Sequence, residues 1–318
     1  YTPEEWGVRY RDSVDARKFV VTREHLLGLD GVHRSDAGEN AVVGRSAFRQ
    51  YRTLVARYTR VKLRDRTGMF VLGVQPPVLA AVMWIVFPSP TSPMLFMIAL
   101  STLWFGMSAS VRELISDRVI WQREARVGIG VLPYVGSKVT VLGTFIALQC
   151  GSLVAFLYFA LGMGEYGFDL VALSSAALLT GWVGMAMGLA VSAAWTSSEA
   201  AVGTLPLLLI PQITFSSIMV SIKDMGGLAK AATWITVQRY TFDAEIKCGE
   251  LIAVPTYRKG EWDKEPINGS LWRLGLKLSD KADDQGFSLT QLMGILGGII
   301  VVVLVGTTLR VWQRSRNS

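Results

Sequence analysis

RSAFRQYRTLVARYTRVKLRDR, residues 45–66, runs straight into TGMFVLGVQPPVLAAVMWIVF, residues 67–87. In the first segment Phe48, Tyr51, Leu54, Val55, Tyr58 and Val61 recur at three- and four-residue steps, and basic residues fill the rest of the surface. That spacing predicts an amphipathic helix lying in a membrane interface, its basic side chains reaching lipid phosphates. The second segment is apolar and long enough to enter the hydrocarbon. Basic and aromatic residues together also suggest nucleic-acid binding. Here the aromatics share the apolar stripe instead of forming an exposed platform, and a span follows at once, so no nucleic-acid partner is expected.

Five further apolar runs follow the one at 69–87, at about 93–111, 139–161, 169–195, 200–221 and 290–309. Each is close to or above the roughly 20 residues needed to cross about 30 Å of hydrocarbon. The 318-residue chain is 51% hydrophobic and 18% charged, with mean hydropathy +0.36, well away from an ordinary globular composition. A soluble protein with buried helices accounts for one such run, not for six. The first 68 residues hold no apolar signal-peptide core, and Tyr1-Thr2-Pro3-Glu4-Glu5 reads as a cut beginning with something upstream.

Charge sets the expected orientation. Residues 45–66 carry eight Lys/Arg against Asp65 alone, and the tail adds Arg310, Arg314 and Arg316. The turn near 161–168 has Glu165 inside it, Asp169 beside it and no basic residue. The positive-inside rule then places both termini in the cytosol. The stretch 222–289, with ten basic and ten acidic residues, falls outside by the helix count. Long loops cross largely regardless of charge. The expected fold is an all-α membrane protein: a cytosolic linker over 1–44, an amphipathic cytosolic connecting helix over 45–67, and six transmembrane helices within 68–318. A large extracytoplasmic loop, 222–289, separates helices five and six, and a cytosolic loop spans 112–138.

Within the spans, Pro76 and Pro77 should bend the first or displace its start. Trp84, Trp195 and Trp312 suit interfacial anchoring. Trp104 and Phe105 fall in mid-membrane, where they either line a cavity or face lipid. Gln149 and Cys150 lie in span three. Span four carries Gly181, Gly184 and Gly188, the last two in G-x-x-x-G spacing that permits close helix contact. Span five holds Pro206, Pro211, Gln212, Thr214, Ser216 and Ser217, the composition of a moving or pore-lining helix or of a kinked packing helix. The loop 112–138 contains Asp117-Arg118 and Arg123-Glu124-Ala125-Arg126 around Ile120 and Trp121, which reads as a docking helix or a wet loop. In the outer loop Leu228–Ile246 is helix-periodic, and residues 255–286 are rich in turn formers. In the first 44 residues, a short helix is expected from Val14 to Leu27.

Sites for chemistry are sparse. His25 and His33 both lie in the linker, and Cys150 and Cys248 do not make a zinc motif. Cys150 reads as an apolar filler; Cys248 is either free or bridged to its twin in a symmetric dimer. Gly136-Ser137-Lys138 has a broken phosphate-loop order and enters a span. No metal, flavin, nicotinamide or ATP site is expected in this chain, and no catalytic residue. The deep parts of the spans carry essentially no acid, so a proton- or cation-coupled transporter lacks its handle.

As an ensemble, the amphipathic helix, the six spans, the charged cytosolic loop and the large loop before the last span resemble the transmembrane domain of the G subfamily of ABC transporters, the type V or ABC-2-like fold. The likeness runs from about residue 45 to the end. It is greatest to bacterial half-transporters with an upstream nucleotide-binding domain and sometimes a forkhead-associated domain. By that resemblance Ile120–Gly130 is the coupling-helix region, with Arg123 and Glu124 contacting the nucleotide-binding domain. Phe215-Ser216-Ser217-Ile218-Met219 matches the gate region, implying Ile218 and Met219 as the gate and Ile210 and Ile213 in the substrate cavity. Trp104, with Phe105 beside it, falls near the aromatic that stacks on flat substrates. Gln238-Arg239-Tyr240 stands where relatives have Pro-Arg-Tyr, and only Cys248 remains of several outer-loop cysteines.

The resemblance implies a C2 homodimer in the bacterial inner membrane, with lipid around it and ATP and Mg on a nucleotide-binding domain in the same or another polypeptide. The intact transporter would be an ATPase exporting a hydrophobic, amphipathic or lipid-like substrate. The alternatives are a polysaccharide or glycolipid exporter of the wider ABC-2 class, or a non-transporting scaffold or sensor.

Overall fold

Apolar length becomes helix length throughout this chain. The computed structural model describes residues 3–16, 18, 46–216, 218, 225–249, 254–258, 261–265 and 287–316. It divides into two units, Tyr1–Arg45 and Ser46–Ser318. In the first, helix α1 runs Pro3–Asp12 and a turn follows at Val14–Ala16. Proline suits the first helical position because its missing N–H would be unpaired there anyway. Of the helix expected over Val14–Leu27, only Val14–Ala16 and Lys18 are described; His25 and His33 lie outside the described residues.

The second unit opens with α2 (Ala47–Arg64), whose apolar stripe buries Leu54 and Tyr58. Asp65 ends it and starts α3 (Arg66–Val86), accepting from the Gly68 N–H at 3.0 Å. Lys62 and Arg64 in the last turn of α2 suit the negative end of its dipole. Pro76 and Pro77 lie inside α3, yet the helix continues through them. Pro76 lacks the N–H that would bond the Leu72 carbonyl. Gln149, from a neighbouring span, donates Nε2–H to that carbonyl at 2.9 Å. The polar residue in span three thus supplies the donor that proline removed.

Next come α4 (Ser92–Ser110), the short α5 (Glu113–Ser116), α6 (Arg118–Arg126), α7 (Val131–Ala160), α8 (Leu170–Ala194) and α9 (Ser198–Thr214). Helices α4 and α8 form the most extensive pair. A side-chain carbon on Gly106 would sit 2.9 Å from the Gly184 carbonyl carbon, and one on Gly188 would sit 2.8 Å from Met107 O. Only glycine lets the two backbones meet there; in lipid such packing replaces the hydrophobic drive. Ser110 Oγ–H reaches across to Met185 O at 3.1 Å.

After α9 the chain forms α10 (Gly227–Ile235), α11 (Val237–Ile246) and an antiparallel hairpin, β1 (Val254–Arg258) with β2 (Glu261–Glu265), in which Val254 faces Glu265 and Arg258 faces Glu261. It ends in α12 (Leu289–Arg316). Five helices among the described residues are long and apolar enough to cross a membrane: α3, Ser92–Ser116, α7, α8 and Leu289–Arg314. The expected fifth span is shorter than its apolar run. α9 has 17 residues, about 26 Å at 1.5 Å per residue. The chain turns at Phe215 and Ser216, and Ser217 and Met219–Asp224 lie outside the described residues. Within the stretch 222–289 the helix-periodic part, Leu228–Ile246, forms α10 and α11 as its periodicity predicts, and α11 packs against α4, α8 and α12 with eight of its ten residues buried.

Candidate functional site

At the basic end of the bundle three segments that are remote in sequence meet. Helix α2 lies along the start of α7, and the α5–α6 segment closes over both. Gln50 ties the loop down: its Nε2–H donates to Gly128 O at 3.3 Å, and its Oε1 accepts from Gly130 N at 3.0 Å. Tyr51 shares a 2.7 Å hydroxyl hydrogen bond with Thr140. Ser192 of α8 accepts from the Leu114 and Ile115 N–H groups at 2.9 and 3.2 Å, satisfying donors at the start of α5 that have no intrahelical partner.

The charges here are paired in layers. Glu113 is buried and takes Tyr58 Oη–H and Lys62 Nζ–H, with Lys138 Nζ 3.7 Å away. Lys138 is itself 2% exposed and pairs with Asp117. Its ammonium stands 3.7 Å from the centre of the Tyr58 ring, a cation–π contact. Burial first, then the Glu113 carboxylate, drives the Tyr58 phenol upward, so it stays a donor at any ordinary pH. Buried ions persist only when paired and hydrogen-bonded, and here α2, α5 and α7 each contribute to one cluster.

Nearer the surface, Arg57 of α2 grips Glu124 of α6 with both guanidinium nitrogens, the second at 3.1 Å from Oε2. The hydrogen bond to Glu124 holds Arg57 above its ordinary value. Such a bidentate fork fixes geometry as well as charge. Trp121 of α6 stacks on Tyr134 of α7, ring centres 4.2 Å apart. Arg57 thus ties α6 to α2, and Trp121 ties it to α7. Gly136-Ser137-Lys138, which superficially looks like part of a phosphate loop, lies inside α7. Ser137 bonds Tyr134 O at 2.7 Å and Lys138 is held by Asp117.

The other expected site residues are scattered. Arg123 is exposed on α6, with Val119, Ile120 and Val127 also exposed. Trp104 is half-buried on α4, whereas Phe105, expected beside it at the cavity, is fully buried in the core. Ile210 is 59% exposed and Ile213 half-buried on α9. Ile218 is half-buried, and Met219 lies outside the described residues. Cys248 is buried, its thiol donates to Ala244 O at 3.1 Å, and burial pushes it up to about 12. A disulfide with a second copy would require this segment to open.

Sequence reasoning missed two features at the opposite end. Gln212 of α9 accepts from the Gln238 N–H at 3.1 Å, and Gln238 donates to Phe96 O at 3.4 Å, seating the start of α11 between α9 and α4. Deeper on α11, Glu245 is fully buried with no hydrogen-bond partner among the described residues on either carboxylate oxygen. Burial holds it well above the usual carboxylate range. The signal was masked because Asp243 and Lys247 beside it make the segment look like a wet outer loop.

Comparison with known proteins now joins this geometry. Residues 49–247 match the ABC-2 type transporter family. The chain is 27% identical over 228 residues to an ABC transporter ATP-binding/permease protein of Mycobacterium tuberculosis. That match takes in 65% of this chain and spans 26% of the relative's length. With well over half of its length inside the family match, including α2, the α5–α6 segment and α11, the chain belongs to the ABC-2 type transporter family.

Proposed function

We propose that this chain is the permease part of an ATP-driven exporter of the G-subfamily type, working as a C2 homodimer in a bacterial inner membrane with both termini cytosolic. ATP and Mg would bind a nucleotide-binding domain outside this chain, and the cargo would be hydrophobic, amphipathic or lipid-like. The observation that carries the reading is the Arg57–Glu124 fork above the buried Glu113 cluster. It couples a short surface helix to an amphipathic helix and a span. The outer face of α6, with Val119, Ile120 and Arg123 uncovered, is a surface on which an ATP-driven domain can push. The name of the mycobacterial relative pairs an ATP-binding part with a permease.

Three further points support the assembly and the cargo. On α9, Gly203, Leu207, Ile210 and Thr214 form one uncovered helical stripe, as expected of a helix that faces a second copy across a cavity. Ile210 and Ile213, with Trp104 opposite, would give that cavity apolar walls, and Ile218 with Met219 would close it. In this reading α9 also counts as a span, making six with the five longer helices.

The test is reconstitution of the complete protein in liposomes, with ATP hydrolysis measured against lipids, glycolipids and hydrophobic drugs. Stimulation by one class, with transport lost in Ile218→Glu and Met219→Glu, is the expected result. A folded dimer that hydrolyses no ATP under any condition would overturn the reading.

A further inference from the structure

Beside the charged cluster, where α8 and α12 end, lies a recess walled on one side by the Trp121–Tyr134 stack. Arg118, Trp121, Gln122, Tyr134, Val311 and Arg314 line it. No acid is among its described lining residues. Trp121 is 5% exposed and Tyr134 2%, and the indole Nε1–H and the phenolic oxygen both lack a hydrogen-bond partner. An indole N–H only donates, and a phenol donates readily. Burying such groups without acceptors costs free energy unless something supplies them. Arg118 donates to Trp195 O, a neutral carbonyl that leaves its charge uncompensated. Arg314 donates to Ala194 O at 2.8 Å and is coupled to the like charges of Arg118 and Arg310. Donors and positive charge gather in one recess, and what they select is an anionic oxygen ligand.

We propose that this recess binds the phosphate of an anionic phospholipid headgroup from the leaflet in which the basic end of the bundle sits. The level is right for a headgroup. α12 passes here from an apolar run to Arg310 and Arg314. Trp195 and Trp312 stand near the same level, both 44% exposed, as aromatic residues do at a membrane surface. Basic pockets between membrane helices are suited to anionic headgroups. Occupancy would brace α6 against the ends of α8 and α12, since Arg118 and Trp121 belong to the helix that carries Glu124. The inference goes beyond the export reading and needs only that the protein sits in a membrane.

The test uses the complete protein in detergent micelles. Its thermal midpoint is measured with added phosphatidylglycerol, with phosphatidylcholine, and with inorganic phosphate and no lipid. Tyr134→Phe removes an unpartnered polar atom while keeping the ring, so the lipid-free protein should melt no lower than the wild type. Trp121→Phe also removes part of the stacked ring and is read as the lipid-dependent shift from its own lipid-free midpoint. Phosphatidylglycerol should stabilise the wild type more than phosphatidylcholine does, with half-saturation raised at least fivefold in both variants. Arg118→Gln gives a third reading should either aromatic variant fail to fold, with the same loss expected. Equal stabilisation by the two lipids, or undiminished stabilisation in all variants, would overturn the site. Inorganic phosphate protecting as well as phosphatidylglycerol would overturn the lipid source.

Discussion

The two ends of this bundle treat buried charge in opposite ways. At the basic end Glu113, Lys62, Lys138 and Asp117 satisfy one another, and Tyr58 adds a hydrogen bond. At the other end Glu245 is as deeply buried and has no hydrogen-bond partner among the described residues. Paired ions in low dielectric resist separation because parting them strands a charge. A lone carboxyl avoids that penalty by staying protonated. One end ties several segments together through paired charges; the other buries a carboxyl whose charge state depends on pH.

The largest expected effect breaks the paired end. Glu113→Ala removes the common partner of Tyr58, Lys62 and Lys138, taking the carboxylate from Lys62 and leaving buried Lys138 to Asp117 alone. It should destabilise the protein by about 3–5 kcal/mol, read by denaturant unfolding in a fixed lipid or detergent. A loss below about 1 kcal/mol would mean that water, not Glu113, solvates those lysines.

The lone acid gives the reverse sign. Glu245→Gln keeps the shape and removes the titration, so it should stabilise the protein relative to the wild type as pH rises above the ordinary carboxylate range. The direction in pH follows from the raised folded value: the native state holds the proton longer than the unfolded chain does. The contribution of Glu245 to stability is therefore greatest at low pH. It falls as pH climbs from the ordinary carboxylate range toward the folded value of Glu245. Asp243, which burial raises to about 6 against the pull of Arg239 and Lys247, adds a decline in the same direction that is complete near pH 6. In Glu245→Gln the share of the decline that belongs to Glu245 should vanish, and the share that Asp243 contributes, ending near pH 6, should remain. A profile the same as that of the wild type would show that Glu245 is solvated.

How much of this was readable beforehand depends on where the partner lay. The apolar runs and the arginine-rich stripe announced α2 and the spans because helix period and hydropathy are local properties. Close packing at Gly184 and Gly188 was visible as small-residue spacing, though its partner Gly106 on α4 was not. Gln149 stood out as polar in a span, and Pro76 as a helix breaker. That one answers the other depends on a 2.9 Å contact between residues 77 positions apart. Phe105 illustrates the limit: being aromatic and mid-span, it reads equally as a cavity wall or as facing lipid, and it is core. Glu245 was hidden for the opposite reason, since polar neighbours along the chain said water while the fold supplied α4, α8 and α12.

The proline–glutamine contact offers a smaller and sharper test. Gln149→Leu should cost about 1–2 kcal/mol by leaving the Leu72 carbonyl without its donor. With Pro76→Ala in place the backbone N–H returns, and the cost of Gln149→Leu should shrink in a double-mutant cycle. Full additivity would mean that Gln149 matters for packing alone.

The smallest effect on stability belongs to the half-exposed fork, and the largest on function. Arg57→Glu and Glu124→Arg should each change stability by about 0.2–1 kcal/mol, as expected of a pair open to solvent. The measurement that bears most directly on the account is transport-coupled ATP hydrolysis by the complete protein with these two substitutions, singly and together. Each single change should uncouple hydrolysis from substrate, and the double swap, which rebuilds the pair in reverse, should restore coupling. Wild-type coupling in both single variants would contradict the claim that the α2–α6 fork carries the movement.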